Sequence, residues 1–166
     1  MPATSLPALS RRAALSLILA ASLSACGGGA HESPPPTRAM HEIPLHPNET
    51  PQLRRLINEY ADHYEVPRAL VHRVVIREST HNPAARNGPY FGLMQILPQT
   101  ARGMGFSGPD RALLDAETNL KYAVKYLRGA WLLSDGDYDT AVKWYSRGYY
   151  YEAKRRGMLY ETGLKS

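Results

Sequence analysis

Residues 70–95 read LVHRVVIRESTHNPAARNGPYFGLMQ, and the spacing in their first half decides the fold. Pro67 is acceptable in a first helical turn, so the segment from Arg68 onward reads as a helix. Side chains on a helix advance by about 100° per residue, which places Glu78 about 20° from the heading of Val71 and about 40° from that of Val74. The glutamate therefore shares the apolar face, while Arg73 and Arg77 point away from it. Asn82-Pro83 and the residues before it stop the helix just beyond. Partial desolvation and the negative end of the helix dipole both disfavour the anion, so the pKa of Glu78 is expected to rise. A carboxyl held protonated near neutral pH is what a general acid needs, including one that protonates a glycosidic oxygen. From position alone a structural role stays open, with Arg77 or Arg86 as the ion-pair partner.

Outward from this helix the chain reads as nearly all α. Leu53, Leu56, Ile57, Tyr60 and Ala61 form an amphipathic set from about Pro51 to Tyr64. Pro98 to about Gly103 is a short helix, and Gly103, Gly105, Gly108 and Pro109 mark a loop. Between Ala116 and Leu133 the positions Leu120, Ala123, Val124, Leu127 and Trp131 keep helical spacing, with Lys121, Lys125 and Arg128 opposite and Asp115 as the cap. Asp135-Gly136-Asp137 breaks that helix, and Tyr138, Ala141, Val142 and Tyr145 make the next apolar face. Gly88 to Gln95 is the one place where a small extended or irregular segment is expected. Several helices and short connections predict a mainly α bundle with a groove between helices.

Four short motifs follow one another in order: Glu78-Ser79, Asn82-Pro83, Gly92-Leu93-Met94-Gln95 and Pro98-x-Thr100-Ala101. Together they resemble the lytic transglycosylase (SLT) domain, a goose-lysozyme-like family of soluble lytic murein transglycosylases that cleave bacterial peptidoglycan. The resemblance covers roughly Pro51 to Tyr151. It implies a lysozyme-like helical bundle with a glycan-binding groove and Glu78 as the catalytic acid. Tyr145 occupies the place of the tyrosine in the family's Tyr-Asn-Ala-Gly motif, whose hydroxyl lies close to the catalytic glutamate, and Tyr126 matches a second tyrosine of that site. Gly92 and Gln95 belong to the groove by the same resemblance, Met94 would supply apolar contact, and Ser79 would steady the glutamate or the peptide side.

Two stretches depart from the family pattern. Tyr145-Ser146-Arg147-Gly148 puts the shorter hydroxyl of Ser146 where an asparagine is usual. Arg86-Asn87-Gly88-Pro89-Tyr90-Phe91-Gly92 lacks a substrate-binding serine, and Asn87 is the residue that could stand in. Tyr149, Tyr150 and Tyr151 follow the Tyr145 motif and are candidates for the floor of a sugar subsite. The chain has 11 Tyr against 2 Phe; tyrosine suits both sugar stacking and ordinary cores.

The first 25 residues read as an export signal. Arg11 and Arg12 precede an apolar run, Ala13 to Leu23, too short to span a bilayer as a helix. Leu23-Ser24-Ala25-Cys26 resembles a lipobox, so Cys26 is expected to carry lipid and to anchor the protein, with Gly27 in the next position leaning to the outer membrane. Cys26 is also the sole cysteine, which excludes an intramolecular disulfide. Residues 26–49, rich in Gly and Pro, read as a flexible tether, leaving residues 50–166 for the catalytic domain. The expected location is the periplasm, on a lipid anchor.

Residues 50–166 contain 17 Lys/Arg and 12 Asp/Glu. Such an excess favours the carboxylate-bearing peptides of peptidoglycan. The positive charges are scattered and no recognition motif accompanies them, so nucleic acid is not expected as a partner. His41-Glu42-Ile43-Pro44-Leu45-His46 departs from the zinc-protease spacing by one residue and contains a proline. His63, His72 and His81 show no ligand spacing and read as surface or helix-flank residues, so neither a metal nor another cofactor is expected. Asp62, Asp110 and Asp115 read as caps or surface groups, which leaves one acid. We expect a monomer that cleaves the MurNAc-GlcNAc β-1,4 bond and leaves 1,6-anhydromuramyl ends. A hydrolytic muramidase and a non-catalytic peptidoglycan-binding protein are the alternatives.

Overall fold

The computed structural model describes residues 44–165. The expected leader, Cys26 and most of the expected tether lie outside them. Six helices carry the fold: α1 (Pro51–His63), α2 (Arg68–Ser79), α3 (Pro98–Gly103), α4 (Ala116–Leu132), α5 (Tyr138–Arg147) and α6 (Tyr150–Arg156). Two short strands, β1 (Arg86–Asn87) and β2 (Tyr90–Phe91), pair antiparallel between α2 and α3, with Arg86 opposite Phe91 and Asn87 opposite Tyr90. A single turn of 3-10 helix at Asp110–Leu114 leads into α4.

Local chemistry accounts for most helix ends. The Thr50 hydroxyl accepts from the Leu53 amide at 3.1 Å and Pro51 occupies the first turn of α1; Asp115 accepts from Thr118 at 2.8 Å to open α4, and Asp137 accepts from Thr140 at 2.7 Å to open α5. Each such cap is worth about 1 kcal/mol. Leu53, Ile57 and Ala61 recur every fourth residue and form the buried stripe of α1. Leu70, Val71, Val74 and Val75 do the same for α2.

The core gathers around α4. Leu120, Ala123, Val124, Leu127 and Ala130 are fully buried, and α4 packs against α1, α3, α5 and the 3-10 turn. Each buried leucine here contributes about 1.5–3 kcal/mol by leaving water. Gly129 sits where α4 meets Tyr149: an added Cβ would lie 2.3 Å from the tyrosine hydroxyl.

Three features differ from the sequence expectation. Of the three tyrosines considered for the floor of a sugar subsite, Tyr149 is 1% exposed and its hydroxyl donates to the Tyr126 carbonyl at 2.8 Å, so it is a core residue and cannot serve. Tyr150 and Tyr151 do remain exposed. The boundary expected at residues 49 and 50 falls inside packed structure, because Glu49 is buried against Arg54, the Arg54 guanidinium donates to the Pro44 carbonyl, and Asn48 Nδ2 donates to the Thr80 carbonyl. The histidines, expected as surface or helix-flank residues, divide: His63 is exposed, His72 is half-buried within α2, and His81 follows α2 but is buried.

Candidate active site

Glu78 is the penultimate residue of α2. Its side chain is 23% exposed, and Arg77 Nε lies 3.5 Å from its Oε1. Desolvation pushes the carboxyl pKa above the ordinary 4.5, and the Arg77 charge offsets only part of that rise. Arg77 is thus its ion-pair partner. Arg86 instead lies over the Phe91 ring, 4.3 Å from its centroid.

The loop after β2 is built by mutual constraint. Phe91 and Ile96 exchange backbone hydrogen bonds, both 3.1 Å, which turns the intervening residues into a tight loop. Gly92 has φ +74, and a Cβ there would meet Asn119 Nδ2 and the Leu113 carbonyl, each at 2.3 Å. Only glycine fits. Three side chains from three helices then hold the loop. Ser79 Oγ of α2 donates to the Leu93 carbonyl at 2.7 Å, Asn119 Oδ1 of α4 accepts from the Met94 amide at 3.0 Å, and the Tyr145 hydroxyl of α5 donates to the Met94 carbonyl at 2.8 Å. Asn119 Nδ2 also donates to Phe91 at 2.8 Å and to Leu113 at 2.9 Å. Glu78 adjoins the residue that starts this net.

Tyr145 ties α5 to the loop and feels the charge of Glu78. It is 8% exposed, and burial together with the charge of Glu78 pushes its phenol pKa well above 10. The phenol stays neutral, with its proton given to Met94 and its oxygen still able to accept. Tyr126 packs against Tyr145 with ring centroids 5.5 Å apart and stacks on Tyr149 at 4.7 Å; burial raises its pKa to about 12.

A recess of about 260 Å³ opens beside these residues, lined by Tyr90, Gln95, Ile96, Leu97, Thr100, Tyr126, Tyr145, Ser146, Arg147 and Gly148. Gln95 adopts φ 48, a left-handed conformation that costs a non-glycine residue about 1–3 kcal/mol. Its Nε2 donates to Ala85 at 3.1 Å and Gly92 at 2.9 Å. Its buried Oε1 has no hydrogen-bond partner among the described residues, which leaves an unused acceptor facing inward.

Of the residues singled out in the sequence, Gln95, Tyr126, Tyr145 and Ser146 meet in one recess; Glu78 is not among the residues that line it, and its charge acts electrostatically on Tyr145. Ser146 is exposed, with its hydroxyl donating back to the Val142 carbonyl of its own helix. Gly92 and Ser79 act on the loop by allowing and tying its backbone. The Met94 side chain was expected to touch substrate; it is fully buried, and its backbone is what the site uses. Asn87 is exposed on β1 opposite Tyr90 and lies outside the recess lining. Asn119 was missed. Its signal was a polar residue in register with Ala123 and Leu127 on the apolar face of α4. The sequence reading also missed that Glu49, His72 and His81 bring one possible ligand atom each to within 4.8 Å of one another.

Compared with known protein families, residues 55–156 match the family described as the transglycosylase SLT domain. No solved structure matches the chain.

Proposed function

Because the chain belongs to the transglycosylase SLT family, whose lysozyme-like helical fold it carries, we propose that it is a lytic transglycosylase using Glu78 first as acid and then as base. One observation carries the reading: a partly desolvated carboxyl, raised in pKa, whose charge acts on a neutral buried phenol that lines a polar recess. In the first step the Glu78 carboxyl gives its proton to the oxygen joining MurNAc C1 to GlcNAc C4, and the C1–O bond breaks. In the second the C6 hydroxyl of the same muramyl ring bonds to C1 while the Glu78 carboxylate takes its proton. Water is not consumed, the glutamate returns to its starting state, and the product carries a 1,6-anhydro ring.

The aspartates support a single-acid scheme, since hydrolysis uses a second carboxylate. Asp62 is paired with Arg68, Asp110 with Arg102, and Asp115 caps α4. Gln95 Oε1 and the Tyr145 oxygen would orient the sugar, with Tyr126 and Ser146 at the same recess. Mass spectrometry of digested sacculi tests the proposal. Anhydromuramyl ends, lighter by one water than reducing ends, are expected; reducing ends would make the enzyme a muramidase, and sacculus binding without release of fragments would make it a binding protein.

We propose in addition that Cys26 carries lipid and holds the domain at the outer membrane facing the periplasm. The order of arginines, apolar run and Leu-Ser-Ala-Cys supports this, and a Cys26→Ser chain that still fractionates with membranes would refute it.

A further inference from the structure

The residues that follow α2 are strained. Thr80 and His81 both adopt left-handed backbone, with φ 50 and 62, a conformation that β-branched and bulky residues rarely take. Its result is a histidine ring with no exposed side-chain surface and, among the described residues, no hydrogen-bond partner on either nitrogen. A buried imidazole left in that state calls for an explanation. Facing His81 Nε2 at 3.7 Å is Oε1 of Glu49, whose side chain is 1% exposed; the same oxygen lies 3.7 Å from His72 Nδ1.

His72 is already oriented as a ligand. Its Nε2 lies 2.9 Å from Asn58 Oδ1, an oxygen that can only accept, so Nε2 carries the proton and the lone pair is on Nδ1. An imidazole fixed by a hydrogen bond on its far nitrogen is the usual outer support of a metal-bound histidine. Donor atoms about 2.0–2.2 Å from a tetrahedral ion lie about 3.3–3.6 Å from one another, so the two 3.7 Å separations to Glu49 close with a movement of tenths of an ångström, and the ring nitrogens, within 4.8 Å of each other, close by a turn of the side chains. Arg54 works against a cation here: it donates to Glu49 Oε1 at 2.9 Å and Oε2 at 2.5 Å. Oε1 can accept a second bond besides the one from Arg54, and the Arg54 charge makes the site weaker than one without it. The cluster borders a cavity of about 780 Å³ that gives an ion a way in.

We propose that Glu49, His72 and His81 form a binding site for a divalent ion of the zinc class, with two imidazoles, one carboxylate and an open fourth position. The bound ion clamps the segment preceding α1 onto α2 and onto the residue three places beyond Glu78. The site is independent of the reaction proposed above.

The test uses the full chain freed of metal with a chelator, then titrated with Zn²⁺ by calorimetry and with Co²⁺ by absorption. One ion per chain is expected, with the intense visible bands of low-coordinate Co²⁺ and a melting temperature that rises with metal. His72→Gln and His81→Gln should each weaken binding at least tenfold, and Asn58→Ala by about 10–100-fold; His63→Gln should leave it unchanged. His72 is partly exposed, so its variant carries the test if His81→Gln fails to fold. No uptake with zinc in excess would overturn the proposal. So would undiminished affinity in His72→Gln, since the ion would then sit on other histidines such as His31 or His41.

Discussion

Replacing Tyr145 by Phe removes one oxygen and no volume to speak of. That oxygen gives the Met94 carbonyl its hydrogen bond, and a buried acceptor left without a partner costs about 1–3 kcal/mol. For a folded unit of this size, about 2 kcal/mol lowers the melting temperature by about 8 °C, against a total stability of about 5–15 kcal/mol. The larger effect falls on turnover. Met94 and Gln95 lose their tie to α5, and misplacing a reacting geometry by about 1 Å costs about 10²-fold in rate. Circular-dichroism melting and the release of soluble fragments from sacculi measure the two quantities on the same preparation. Tyr126→Phe is the stability control, expected within about 0.5 kcal/mol of wild type. A Tyr145→Phe protein that melts with wild type and keeps more than half its turnover would refute the idea that this phenol holds the loop.

Asn119→Ala orphans the Met94 amide and the Leu113 carbonyl, while Phe91 keeps its bond from Ile96; urea unfolding should show a loss of about 4 kcal/mol, and a loss below about 1 kcal/mol would contradict the role given to this side chain. Gly92→Ala forces a Cβ against Asn119 and Leu113 at a positive φ, so a cost of about 3 kcal/mol or more is expected from strain and overpacking together. For Glu78→Gln the sign follows from linkage: the folded carboxyl has a raised pKa, so the native state holds its proton longer than the unfolded chain and wild-type stability falls as pH climbs from the ordinary 4.5 through the raised value. The variant should therefore equal wild type in acid and exceed it at neutral pH, as melting curves across pH will show; a variant less stable than wild type at pH 7 would reverse the sign of the shift.

The helices were legible because periodicity and caps are local. Asp115 announced the start of α4, while Thr50 and Asp137, not read as caps, open α1 and α5; the heading of Glu78 put it on the face of Val71 and Val74, and its side chain is 23% exposed. What stayed hidden depends on the third dimension. Met94 looks like a groove residue in the sequence, yet its side chain turns into the core and its backbone serves the site. Tyr149 cannot be told from Tyr150 and Tyr151 until Gly129 opens a slot for its hydroxyl. Glu49, His72 and His81 come from before α1, from within α2 and from after it, a spacing that no ligand motif anticipates.

The central claim is that one carboxyl does the chemistry, and turnover of purified sacculi by Glu78→Gln tests it most directly when sacculus binding is measured alongside. The account predicts fragment release abolished with binding and fold intact. Release at the wild-type rate would place the reaction on some other group.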